Sequence, residues 1–156
     1  MVLIRLLTYS EKLAAISSPY ANWITELDYK HVRDDAQGLV TLIKFNYKRG
    51  AHFQCLAQMV YCIEKLPGRS EPTTTRVQSW LKRVDAPGPQ LQREIEAVLG
   101  TYWFIANDEN LKRPFDVKNK VAPVEFVFIG KRSMFSGFLI PDFCNRRPPG
   151  RPPRLR

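Results

Sequence analysis

Histidine is scarce in this chain, which carries only His31 and His52 in 156 residues. A histidine-built metal or acid–base centre needs several convergent ligands, so chemistry of that kind has little material here. Cysteine is nearly as scarce. Cys55, Cys62 and Cys144 cannot all pair within one chain, and no C-x-x-C spacing points to a zinc ribbon or a redox pair. A reducing compartment, cytoplasm or nucleus, is the expected location. Clean apolar runs are missing as well: the most apolar window, 121–140, contains Glu125, Lys131 and Arg132. Charges near a bilayer centre cost roughly 2.5–3.5 kcal/mol each, so that window is expected as buried helix and not as a membrane span. Residues 1–7 include Arg5 and are too few for the apolar part of a secretion signal. No repeat of about 20 to 50 residues is present, which excludes solenoids and propellers.

What is there is enough for one domain. A chain of this size with 44% hydrophobic residues buries roughly 68–70% of the surface that it exposes when unfolded. The net charge is +9, but Arg146, Arg147, Arg151, Arg154 and Arg156 supply five of those nine, leaving +4 for residues 1–144. A mildly basic body with a strongly basic end is expected.

The spacing predicts helices almost throughout. Thr8 and Glu11 fit a capping box opening a helix from Tyr9 to about Ser17, and Ser18 with Pro19 forms an N-cap and first-turn pair opening another. Tyr20, Trp23, Ile24, Leu27 and His31 make its apolar stripe, Glu26, Lys30 and Arg33 face water, and the helix ends near Ala36. A short helix and irregular chain are expected over 38–50. "HFQCLAQMVYCIEKLPG" puts Phe53, Leu56, Ala57, Val60 and Ile63 on one face and stops at Pro67-Gly68. After a polar linker at 70–75, Val77, Trp80, Leu81 and Val84 form the next face, and "DAPGP" turns the chain. Leu91, Ile95, Val98, Tyr102 and Ile105 step along the longest helix, about Gln90 to Ala106. A polar connection at 107–120 leads to "VAPVEFVFIG", apolar on nearly all sides and therefore expected at the centre of the core. The fold class is all-α, an irregular bundle of about six helices over 1–144, with an Arg/Pro-rich tail at 145–156 that has no apolar face to bury and is expected disordered or polyproline-like.

Four stretches, "LTYSEKLAAISSPYANWI", "KRGAHFQCLAQMVYCIEKLPG", "VQSWLKRVD" and "VAPVEFVFIG", occur in the order and spacing of a known family. Over about Leu7 to Gly130 the chain resembles the N-terminal domain of GmrSD-type restriction endonucleases, in the stand-alone form common in fungi. In that family a helical region follows a mixed α/β half carrying an Asp-Gly-Gln-Gln-Arg type motif for nucleotide binding and hydrolysis. Asp28, Asp34, Asp35, Asp85, Asp108, Asp116 and Asp142 are never followed by Gly, and two histidines do not supply the HNH nuclease module of bacterial relatives. The resemblance thus implies the helical C-terminal part alone, starting inside a larger domain, with both ends reflecting an incomplete gene model or a decayed copy.

Candidate sites weigh toward ordinary structure. Glu11 and Glu26 are explained as a capping acid and a solvated helix face. His52, Cys55 and Cys62 are strung over about 15 Å of one helix and cannot reach one metal, so buried thiols are expected, with no metal or other cofactor. Trp23, Trp80 and Trp103 are core or interface anchors. Lys44, Lys48, Arg49 and His52, with Tyr47 beside them, form one basic-aromatic cluster at a helix start that could contact phosphate or instead pair with Glu125. The tail arginines could attach to RNA or DNA without sequence specificity. The expected function is therefore a non-catalytic helical scaffold, not an enzyme, with apolar helix faces that a protein partner would cover. The alternative is a small basic protein binding nucleic acid non-specifically through Lys44, Lys48, Arg49 and the tail.

Overall fold

The computed structural model describes residues 9–33, 38–43, 50–68, 71–112 and 127. All described regular structure is helical: α1 (Tyr9–Ala14), α2 (Pro19–Leu27), α3 (Leu39–Leu42), α4 (Ala51–Glu64), α5 (Thr74–Leu81) and α6 (Pro89–Asn107), with a π-helical segment, Asp28–Val32, continuing α2. The expected all-α fold of about six helices is what these residues form. No strand occurs among them, and none of their helices is long and apolar enough to cross a membrane.

Ser18 shows how local sequence and packing agree. Its extended backbone (φ −157°, ψ 163°) lets Oγ accept from the Ala21 amide at 3.0 Å, the expected N-cap, and Pro19 follows where no amide is needed. The same hydroxyl donates to the Leu81 carbonyl, so the start of α2 is tied to the end of α5. Thr8, the other expected cap, lies outside the described residues.

α4 is the hub. α1, α2, the π segment and α5 all pack on it, α5 also touches α1, and α3 joins the π segment to α6. The reason is in the residues between the expected stripe positions. Cys55, Met59, Tyr61 and Cys62 are apolar too, and they are buried along with Phe53, Leu56, Ala57, Val60 and Ile63. Apart from Glu64 at its end, only a narrow strip at Ala51, Gln54 and Gln58 is left half-buried, so most of the helix surface has to be enclosed by neighbours. It starts at Gly50, held at φ 74° and ψ 14°, where a side chain would be strained. The window 121–130, expected at the centre, is described only at Val127, which is helical and buried.

Three expectations need correction. The second helix does not keep an α register toward Ala36. After Leu27 the turn widens, Arg33 N bonds to Asp28 O at 2.9 Å, and the inward face passes to Asp28 and Val32 while His31 is only half-buried. Residues 34–36 lie outside the described residues. Val84 is not on the face of α5: the helix stops at Leu81, the chain turns, and Val84 is 92% exposed. In α6, Leu99 and Ala106 are buried alongside Leu91, Ile95, Val98 and Tyr102, and Ile105 packs from the rim.

Gly100 sits in the middle of α6, and a Cβ built there meets nothing within 4 Å. Gly100→Ala should therefore raise stability by about 0.5–1 kcal/mol, because the unfolded chain loses freedom and no clash opposes it. A higher denaturation midpoint with an unchanged m value is the expected readout.

Candidate functional site

Three polar clusters punctuate the apolar core. The largest centres on Glu64, the last residue of α4. Its Oε1 accepts from Tyr20 Oη at 2.8 Å and from Arg83 Nη1 at 2.9 Å, and its Oε2 accepts from Trp80 Nε1. Arg83 also donates from Nε to Asp85 Oδ1 at 2.9 Å and from Nη2 to Oδ2, and its guanidinium lies 4.8 Å over the Tyr20 ring. Tyr20 and Trp80 meet edge-on at 5.0 Å, and Tyr61 meets Trp80 edge-on at 5.8 Å. Burial, and then the adjacent Glu64 carboxylate, pushes the Tyr20 hydroxyl up to about 12, so it stays protonated and donates. Both Glu64 oxygens are engaged, which makes the cluster a latch joining α2, α4 and the end of α5.

The second cluster is built by the π segment. Asp28 is fully buried, Arg33 Nε donates to its Oδ2 at 2.6 Å, and His52 Nε2 lies 3.2 Å from the same oxygen. Asp28 Oδ1 has no hydrogen-bond partner among the described residues. His52, expected as a phosphate contact, is thus corrected in its surroundings. It is 6% exposed and turned toward a carboxylate, an environment that repels an anion instead of recruiting one.

The third cluster fastens the π segment to α6. Lys30 Nζ donates to Glu96 Oε1 at 2.7 Å, and His31 Nε2 lies 2.7 Å from Glu96 Oε2. Burial holds the His31 imidazole below its ordinary value despite the opposing pull of Glu96. Burial raises the Glu96 carboxyl, but hydrogen bonds and charge from Lys30 and His31 outweigh it and hold the group low. Both shifts make acid destabilising. An imidazole depressed in the fold means that the unfolded chain binds more protons, so stability drops as pH falls below the ordinary histidine value of 6.5. The depressed carboxylate removes more as pH falls below 4.5. Thermal melts from pH 7.5 to 4 should show a two-stage decline, and His31→Asn should flatten its upper stage.

The remaining expected site residues do not converge. Cys55 and Cys62 are buried and form no disulfide, and burial raises the Cys55 thiol to about 12, far from a reactive thiolate. No group of three metal-ligating side chains occurs among the described residues. Lys44, Lys48, Arg49, Arg146, Arg147, Arg151, Arg154 and Arg156 all lie outside the described residues, as do Cys144 and Glu125. Of the tryptophans, Trp80 is buried in the latch and Trp23 packs on the core's edge, meeting Tyr20 edge-on at 6.2 Å.

One groove of about 600 Å³ lies between the end of α4 and the start of α6, lined by Ile63, Glu64, Leu66, Pro67, Leu91 and Glu94 among others. Glu94 accepts from Gln90 Nε2 at 3.0 Å. Sequence reasoning did not single out Asp28, Glu64 or Glu96. Asp28 carried a signal, since it stands four residues after Ile24 on the apolar stripe. Glu64 and Glu96 did not, because their partners are distant in sequence. Comparison with protein-family models, curated proteins and solved structures found no match to this chain.

Proposed function

We propose that the chain is a non-catalytic helical scaffold, like the helical part of the GmrSD N-terminal domain that it resembles, and that it supports a nucleotide-handling partner. The observation that carries this reading is the joint packing of the three resemblance-bearing stretches that fall largely within described residues. "LTYSEKLAAISSPYANWI" makes α1 and most of α2, "KRGAHFQCLAQMVYCIEKLPG" makes α4, and "VQSWLKRVD" makes the body of α5, all gathered around α4. Its acids also favour a supporting role. Asp28, Glu64 and Glu96 are held by intrachain donors and serve to join helices.

The test is association in trans. The full chain, mixed with the separately produced α/β half of a GmrSD-type protein, should form a complex by size exclusion with light scattering and should melt at a higher temperature within it. Nucleotide or nucleic-acid hydrolysis by the chain alone, proportional to its concentration and lost on unfolding, would overturn the reading. Failure to associate with any such half would count against it equally.

A further inference from the structure

The chain has two histidines, and the π segment meets both: His31 lies within it, and His52 faces its Asp28 from α4. His31 is the one whose charge bears on how the segment is held. Among the described residues, the polar ties from the π segment to α6 are two, Lys30 Nζ to Glu96 Oε1 and His31 Nε2 to Glu96 Oε2, each at 2.7 Å. Both end on one carboxylate. Because a carboxylate only accepts, a neutral His31 donates from Nε2 and leaves the charges balanced, Lys30 against Glu96. A protonated His31 would be a second cation on the same group. The two cations differ in their access to water: the Lys30 side chain is 62% exposed and that of His31 19%, so the added charge falls on the side chain less able to stay hydrated. The other elements packed on the segment do not offset it. α3 has no titratable side chain, His52 on α4 is turned to Asp28, Asp28 is held by Arg33, and Glu26 on α2 is exposed. Among the described residues, Glu96 and Lys30 are the charged groups that face His31.

We propose that the π segment is an acid-released clasp: protonation of His31 frees Asp28–Val32 from α6 and loosens its wide turn, while the helices gathered on α4 stay folded. A π turn is rare and needs tertiary support, and one of its two supports is the pair of ties to Glu96. Lys30 alone is an exposed partner that contributes little. The sign is the one that release in acid requires. Burial outweighs the pull of Glu96 and holds the His31 imidazole below its ordinary 6.5, so the opened segment binds the proton more readily than the closed one. Glu96 stays ionised through this range, since its carboxyl is held below 4.5. The core keeps its own fastening, because the Tyr20 hydroxyl in the Glu64 latch does not titrate until about 12. The inference is independent of the scaffold reading.

The test is hydrogen exchange of the full-length chain at pH 7.5 and 5.5, read as protection factors so that the intrinsic effect of pH is removed. The amides of Lys30, His31, Val32 and Arg33 should lose protection by several-fold and by no more than about tenfold, the limit that one histidine titrating at 6.5 in the open state sets at pH 5.5. Those of Leu56, Ala57 and Val60 in α4 should not change. His31→Asn, which keeps an N–H for Glu96 and cannot gain charge, should abolish the fall. Glu96→Gln should lower protection at Lys30 to Arg33 already at pH 7.5 and spare α4. In the unaltered protein, the His31 ring signals and the amide shifts of Lys30 to Arg33 should follow one titration curve with a midpoint below 6.5. An equal fall in α4 would mean general unfolding, and no fall, or a rise, would mean that Glu96 holds a charged His31; either overturns the proposal. So does a fall that survives His31→Asn, which would belong to His52, or unchanged protection in Glu96→Gln, or separate titration curves for the ring and the amides.

Discussion

Leu56→Ala will cost the protein about 2–5 kcal/mol, a large share of the roughly 5–15 kcal/mol by which a domain of this kind is stable. Leu56 is fully buried in α4, the helix on which α1, α2, the π segment and α5 all pack. Removing its branched end forfeits the transfer free energy of the lost carbons, at about 0.8 kcal/mol per buried methylene, and adds the cost of whatever cavity stays open. How far the cavity collapses decides where in the range the result falls. Four elements border α4, and no one of them can move inward without disturbing the others, so the upper half of the range is expected. Val84→Ala is the control. It removes a similar apolar group from a residue that is 92% exposed, and should stay within about 0.5 kcal/mol. Urea titrations of both variants measure the difference, and equal shifts would mean that α4 is not the centre of the core.

The contrast between Leu56 and Val84 also marks how far the fold was legible in the sequence. Both belong to plausible helical stripes, and periodicity alone treats them alike. Cues written within a few residues transferred well: Ser18-Pro19 opens α2, Pro67-Gly68 follows the close of α4, and Pro89 opens a helix that ends one residue past its expected limit. Misreadings arose where an element ended early or changed register. Nothing between Leu81 and Val84 forbids another helical turn, and nothing in "ELDYKHV" announces a π turn. That turn is stable because it buries Asp28 against Arg33 and His52 and brings Lys30 and His31 to Glu96. His52 and Glu96 come from α4 and α6, so much of the information is tertiary. The same limit applied to the candidate site. His52 looked like a member of a basic cluster because its sequence neighbours are Lys48 and Arg49. In the fold its neighbour is the Asp28 carboxylate, contributed from 24 residues away.

The latch at Glu64 is where distant polar partners matter most, and Glu64→Ala should destabilise by about 2–4 kcal/mol. The carboxylate serves three donors, Tyr20 on α2, Trp80 on α5 and Arg83 in the turn that follows α5. Arg83 is about one-third exposed and keeps Asp85, so its loss is small. Tyr20 and Trp80 are 2% and 5% exposed, and water cannot easily replace the oxygens that they lose, at a cost of about 1–3 kcal/mol for each orphaned donor. A double-mutant cycle separates this account from simple loss of packing. Tyr20→Phe alone should cost about 1 kcal/mol, because Glu64 retains Trp80 and Arg83. In the Glu64→Ala background the same change should cost nothing or restore stability, since it removes a hydroxyl that has no partner left; the coupling would be about 1 kcal/mol or more. Additive effects would sink the latch. Glu64→Gln should fall between the two. An amide can offer its oxygen to Trp80 Nε1 and its NH₂ to a rotated Tyr20 hydroxyl, but it then presents hydrogens to Arg83 and loses that contact. The order Gln, then Ala, in increasing damage follows only if the donors, and not the volume of the side chain, decide what Glu64 is for.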